Sequence, residues 1–265
     1  MTGNDIAGEV MRSGKYSSVD RAVVGRIITE STARYNKKKD IVKAAKKELH
    51  IIHESFLHKD CHAKAAEIID ACAGVDIKTD KKVAAALMEL HSSTRERLRQ
   101  AEEIYEYIGS HIKTEDHIID LGCGFNPFAL PFLGVLPATY LAYDISISTI
   151  RVLNKYFGVV QLPYTAGICD AAVEVPGLQA NVLFMFKLFP ILERRGKGRG
   201  FEILSDLKCS TSIISFPLES MSGKKKGMEA FYSRYFENGL PESFAILEKK
   251  SFNDEMFYIV GNRRE

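Results

Sequence analysis

The chain has 265 residues, 46% hydrophobic and 26% charged, which is ordinary for a globular protein of one large domain or a core domain with a smaller companion. Its net charge of +2 is too small to name a nucleic-acid or membrane partner, so any such partner must be read from local clusters. No stretch approaches the eighteen apolar residues of a membrane span, and the first twenty residues carry no apolar signal core. The five cysteines (Cys61, Cys72, Cys123, Cys169 and Cys209) form no CxxC pair. That gives no support to a zinc or thioredoxin-type site and suggests a reducing compartment, the cytoplasm.

Up to about residue 110 the pattern is helical. In residues 37–56, Ile41, Ala45, Leu49, Ile52 and Phe56 share one face, with Lys39, Lys43, Lys46 and His50 on another. A second helix is expected over 82–109, with Val83, Leu87, Leu90, Leu98, Ala101, Tyr105 and Ile108 as its buried stripe. Proline is absent before Pro127, which suits a helical unit.

After residue 115 the apolar runs shorten. HIIDL (117–121), TYLAYDI (139–145), NVLFMFKLF (181–189) and SIISFPL (212–218) read as buried parallel strands, with room for helices between them. The tail, 244–262, has two β-rich runs around Asn253-Asp254, a hairpin signal. The expected fold is α/β: residues 1–108 form a helical N-terminal domain. Residues 109–265 form a Rossmann-like sheet, closed by an antiparallel hairpin, of the class I methyltransferase kind.

The glycine-bearing stretch DLGCGFNPF (120–128) limits the ligand. No GxxxxGK[ST] occurs, and GxGxxG lacks its third glycine, so neither a nucleoside triphosphate nor a pyrophosphate has a cradle. S-adenosylmethionine carries no phosphate and needs a looser loop. Asp120 ends the first strand, with Gly122 and Gly124 beside it. Asp144, twenty residues past Gly124, ends the second strand, where its carboxylate can accept both ribose hydroxyl protons. Asp170, at the third strand tip, is placed to accept from the adenine amino group. One aspartate at a strand end is more often a helix cap or turn former. Three in this order, with the glycines, point to S-adenosylmethionine.

After the fourth strand, FMFKLFPILE (184–193) has no Asn-Pro-Pro and no evident base, only Lys187 among aromatics. That suits an acceptor with no proton to lose, such as guanine N7, although small-molecule methyltransferases also lack the motif. Local charge adds to this. Residues 34–50 hold seven Lys or Arg against two acids, an excess of five, including Lys43, Lys46 and Lys47. Arg194, Arg195, Lys197 and Arg199 make a second cluster, and Lys224, Lys225 and Lys226, ahead of Met228 and Glu229, a third. Such clusters track phosphates without reading sequence.

HSSTRERL (91–98), DLGCGFNPFALPF (120–132), FKLFPILE (186–193), ISFPLESMSGKKKGMEAFY (214–232) and YFENGLP (235–241) resemble the aminoglycoside-resistance 16S rRNA (guanine(1405)-N(7))-methyltransferases of the Arm/Rmt type. The resemblance runs nearly end to end. It implies S-adenosylmethionine as donor and S-adenosylhomocysteine as product. It also implies a helical domain that docks on the 30S subunit at 16S rRNA helix 44, with neither DNA nor a membrane as partner.

By that resemblance Arg97 pairs with the methionine carboxylate, its forked guanidinium matching it bidentately, unless it merely pairs with Glu96 or Glu102. Ser93 and Phe56 are further cofactor contacts, though Ser93 and Thr94 can also serve only to pin a helix. Lys187 borders the junction of cofactor and target. The loop near Met228 helps turn the base out of its stack, which costs a few kcal/mol, and Glu229 could stabilise the cationic product or simply cap a helix. No catalytic group is certain; Lys187 and Glu229 are the candidates. The sequence departs from the family at Glu219, where Lys or Arg is expected, and at Phe56, where some members place a tyrosine. The rival readings are modification of the neighbouring adenine, a small-molecule methyltransferase, and a non-catalytic rRNA-binding factor.

Overall fold

The computed structural model describes the chain except residues 1–2, 13, 54–55, 57–59, 178, 220–226, 253 and 264–265. Lys224, Lys225 and Lys226, and the Asn253 of the hairpin signal, therefore lie outside the described residues.

The helical part comprises α1 (Gly3–Met11), α2 (Arg21–Arg34), α3 (Lys38–Ile52), α4 (Cys61–Ala71), α5 (Lys81–Met88), α6 (Ser92–Arg97) and α7 (Ala101–Gly109). Asp20 starts α2 by accepting from the Ala22 N–H, and Asp80 starts α5 by accepting from Lys82 and Val83. In α3, Ile41, Ala45 and Leu49 are buried as the spacing predicts, while Lys43 and Lys47 are exposed and Lys46 half-buried.

The single helix expected over 82–109 is instead three. His91 is extended (φ −128°, ψ 128°). Two residues into α6, the Thr94 hydroxyl donates to the carbonyls of Met88 (2.6 Å) and His91 (3.1 Å). A hydroxyl that takes these carbonyls competes with the helical ladder, and the helix breaks where hydrophobic periodicity alone runs through. The break turns His91 and Ser93 toward the sheet.

A seven-stranded sheet follows: β1 (His117–Leu121), β2 (Thr139–Asp144), β3 (Thr165–Ile168), β4 (Val182–Phe186), β5 (Thr211–Pro217), β6 (Phe244–Phe252) and β7 (Glu255–Asn262), in the order β3-β2-β1-β4-β5-β7-β6. β1 to β5 pair in parallel, and β7 runs antiparallel between β5 and β6. β6 is bulged between Ile246 and Glu248. The expected parallel sheet closed by an antiparallel hairpin is the one found. Helices α8 (Ile147–Val159), α9 (Phe189–Arg195), α10 (Arg199–Leu207) and α11 (Met228–Gly239) link the strands.

Both faces of the central strands β1, β4, β5 and β7 are covered, which is why β1, β4 and β5 read as continuous apolar runs. Along β4, Val182, Phe184 and Phe186 join the core shared with α4, α5, α7 and α8. Leu183 and Met185 join the core beneath α9, α10 and α11. A third cluster, from Ile6 to Leu49, belongs to α1–α3. The apolar cores thus divide the chain before Cys61 rather than at residue 108, because α4–α7 bury their stripes against the sheet. Among the described residues no helix is long and apolar enough to cross a membrane.

Candidate cofactor and substrate site

In a sheet of this order, the crevice opens at the carboxyl ends of β1 and β4, where the strand order reverses. The chain leaves β1 through Gly122 (φ +63°) and Gly124 (φ +50°). These left-handed conformations favour glycine, and space demands it too. A Cβ on Gly124 would stand 3.0 Å from the His91 ring, and one on Gly122 2.9 Å from the Leu188 side chain.

Asp144, half-buried at the end of β2, accepts from the Gly124 N–H through Oδ2 (3.0 Å) and from the Ser146 N–H through Oδ1 (2.9 Å). Burial raises its pKa above the ordinary carboxylate value, against the pull of those backbone donors. With two of about four acceptor positions engaged, it keeps capacity toward the cleft that it lines with Gly122, Gly124, Ser93 and Lys187. Glycines that leave room and a carboxylate with free lone pairs fit the sugar and amino-acid portions of S-adenosylmethionine.

Asp170, two residues beyond β3, is also on the wall. Its Oδ2 receives both Nε (2.7 Å) and Nη2 of Arg26, and Oδ1 accepts from the Ala172 N–H at 3.2 Å. Arg26, Ile52, His53 and Phe56 bring the N-terminal helices into the same cleft. Phe56 stacks parallel to His91 (centroids 6.0 Å apart).

Arg97 is placed differently from the expectation. It is 2% exposed and absent from the cleft wall. Its fork is closed on Glu255 (Nε–Oε2 2.8 Å, Nη2–Oε1 2.7 Å), while Nη1 donates to Tyr105 and Asn126. Its ion-pair partner is Glu255, not Glu96 or Glu102: a buried guanidinium must be neutralised where it lies. Burial works against the Glu255 charge, yet Arg97 and Lys187 hold its carboxyl below the usual range.

Asn126 extends this network to Asp120, whose carboxyl also accepts from Tyr140 (2.6 Å). Burial pushes Asp120 up to about 7 despite those hydrogen bonds. Asp120 is thus a support behind the glycine turn.

Lys187 is not solvated. It is 9% exposed, with Nζ between Glu96 and Glu255 (3.4 Å), and its backbone is left-handed (φ +55°). Such a conformation is strained for a residue with a Cβ. Its N–H donates to the carbonyl (3.2 Å) and hydroxyl (3.0 Å) of Ser215.

Of the basic clusters, Arg194 and Lys197 are exposed, but Arg195 is not a surface cation. Its side chain, 8% exposed, pairs with Glu30 (2.6 Å) and Glu48 (3.4 Å). Arg199 donates to the Ala171 carbonyl and to Glu202. In place of an open basic loop, the chain there is the end of α9 and the start of α10, packed against its own acids. Met228 is half-buried at the start of α11. Glu229 beside it is exposed, accepts from Ser251 (3.2 Å) and is not part of the cleft wall. Glu219 stands half-buried just after β5.

Sequence reasoning misses Arg26, His53, His91 and Glu255. His91 lies inside HSSTRER, but its clash with a Gly124 Cβ is invisible without coordinates. Glu255 and Arg26 give no sequence signal.

The histidines make the fold acid-sensitive. Burial lowers His53 and His62 to about 4 and His91 to about 3. All three are neutral in the folded chain, whereas each takes a proton near pH 6.5 when unfolded. Between pH 6.5 and 4 the unfolded state therefore holds more protons, and stability falls with pH by about 1.4 kcal/mol per unit per histidine. Thermal unfolding followed by circular dichroism should show the midpoint dropping steeply below pH 6. His91→Phe should remove roughly a third of the histidine part of that slope; an unchanged slope would contradict this account.

The strand order, the glycine turn after β1 and the acids at the tips of β2 and β3 define a Rossmann-like methyltransferase. The sequence matches the ribosomal RNA methyltransferase (FmrO) family over residues 12–259, and the chain belongs to that family. A 16S rRNA (guanine(1405)-N(7))-methyltransferase of Serratia marcescens is 32% identical over 257 residues, 97% of each chain. One from Micromonospora echinospora is 29% identical, covering 95% of this chain and 93% of its own. Among solved structures, the 16S rRNA methyltransferase RmtF in complex with S-adenosylhomocysteine superposes with a TM-score of 0.89 at 30% identity, covering 98% of both chains. The 16S rRNA methylase RmtB gives 0.83 at 28%, covering 99% of both.

Proposed function

We propose that this chain transfers a methyl group from S-adenosylmethionine to N7 of guanine 1405 in 16S rRNA of the 30S subunit. The observation that carries the reading is the Gly122–Gly124–Asp144 cradle, in a chain that follows the FmrO family over residues 12–259. Bound there, the cofactor supplies an electrophilic methyl group. The order of strands puts the tips of β3, β2, β1 and β4 in a row. Asp170 accepts from the adenine amine, and Asp144 from the ribose hydroxyls. The glycines admit the amino-acid portion, with Ser93 and Lys187 as polar neighbours toward the β4 end.

Guanine N7 presents an in-plane lone pair and loses no proton, so the protein needs no general base. The work left to its residues is alignment and exclusion of water, an effect that can be large. Glu255, itself paired with Arg97, holds Lys187 in its buried place from behind. Exposed Lys43, Lys47, Arg194 and Lys197, with Lys46, are among the described groups that can meet phosphates of helix 44. Met228, and Lys224, Lys225 and Lys226 ahead of it, adjoin the target loop by resemblance. Ribosomes place the reaction in the cytoplasm.

The test is to incubate 30S particles with the protein and S-adenosylmethionine and map the modified nucleotide. Reverse transcription after borohydride reduction and aniline cleavage should stop beside guanine 1405; a modification at the neighbouring adenine would replace this reading with its rival. Asp144→Ala should weaken S-adenosylmethionine binding at least tenfold, since a hydrogen bond to a charged group is worth about 1.5–3 kcal/mol. Unchanged calorimetric affinity would remove Asp144 from the site.

A further inference from the structure

The acid expected to meet the adenine is not free-standing, and its anchor comes from the other end of the chain. Asp170 lies in an irregular stretch beyond β3, where a short side chain could turn freely. Arg26 of α2, 144 residues earlier, directs two donors, Nε at 2.7 Å and Nη2, onto Oδ2 alone. Oδ1 is left with one backbone donor, Ala172 N–H at 3.2 Å, and a second lone pair. Arg26 is itself fixed. Its Nη1 reaches Glu30 Oε1 at 2.6 Å, and Glu30 Oε2 accepts from Arg195 at 2.6 Å, so charges alternate from α2 to α9.

We propose that Arg26 is a positioning residue for Asp170: the helical unit orients the carboxylate that selects an amino group at position 6 of the cofactor's purine. This rests on the reading of Asp170 as the adenine acceptor. The side chains of Arg26 and Asp170 are 20% and 17% exposed, so their ion pair is partly screened and adds little to stability. What it fixes is direction. Lysine would keep the charge but not the paired donors of the guanidinium.

The test compares S-adenosylhomocysteine with S-inosylhomocysteine, in which the amino group is replaced by an oxygen acceptor, by calorimetric titration of the full chain. The native protein should prefer the adenosyl compound at least tenfold. Asp170→Asn and Arg26→Gln should each reduce that ratio at least fivefold, with thermal midpoints close to the native value; a purely structural strut would weaken both ligands alike. If Asp170→Asn collapses the ratio and Arg26→Gln preserves it, Asp170 reads the purine without Arg26 and the proposal is overturned. If Asp170→Asn itself leaves the ratio intact, the reading of Asp170 fails and takes the proposal with it. Should Arg26→Gln not fold, Arg26→Lys decides: a reduced ratio supports positioning, and a native ratio overturns it.

Discussion

Expressing this chain in a susceptible bacterium is expected to give high resistance to gentamicin and kanamycin and none to neomycin. A methyl group on N7 removes an acceptor from the major-groove edge of guanine and leaves the base positively charged. As the family resemblance implies, a polycationic drug of the 4,6-disubstituted deoxystreptamine type sets a ring against that edge. It then loses a hydrogen bond and meets a like charge. The 4,5-disubstituted drugs place no ring there. Growth inhibition across the three drugs checks this. Neomycin tolerance appearing as well would point to the neighbouring adenine. Unaltered gentamicin susceptibility with soluble protein present would end the proposal.

The second large effect concerns docking. Replacing Lys43, Lys46 and Lys47 together by Glu should abolish binding to 30S particles while leaving S-adenosylmethionine affinity untouched. Lys43 and Lys47 project into solvent, Lys46 is half-buried, and none of the three lines the cleft. Every lysine–phosphate pairing removed should flatten the dependence of log affinity on log salt by about one unit. Filter binding at several salt concentrations is the measurement. A triple variant with native affinity and slope would mean that this face of α3 is merely hydrated.

What sequence could reveal here followed the period of its apolar residues. Each long apolar run became a strand because both faces of the central strands are covered, and the closing hairpin showed as two β-rich runs around Asn253-Asp254. Periodicity failed at Thr94, where a hydroxyl takes carbonyls and interrupts a helix that the apolar stripe would continue. For the site, Gly122, Gly124, Asp144, Asp170 and Lys187 could be named because strand tips converge by topology. The partners of Arg97 and Arg195 escaped the sequence for a common reason. A cation's partner is set by what folds against it, and Glu255, Glu30 and Glu48 lie 158, 165 and 147 residues away in the chain. Spacing along the chain carries no trace of such pairings.

The two borders of the sheet differ in a way that bears on solubility. β3 at one border has four residues, too few to template a long partner strand. β6 at the other has nine, a length that would invite a neighbouring chain to add on. There the bulge sets Leu247 out of register, and Glu248, Lys249 and Lys250 follow it into solvent. A twisted, charged border is a poor template for another strand. The irregularity in β6 therefore guards the longer border of the sheet against edge-to-edge pairing with a second chain.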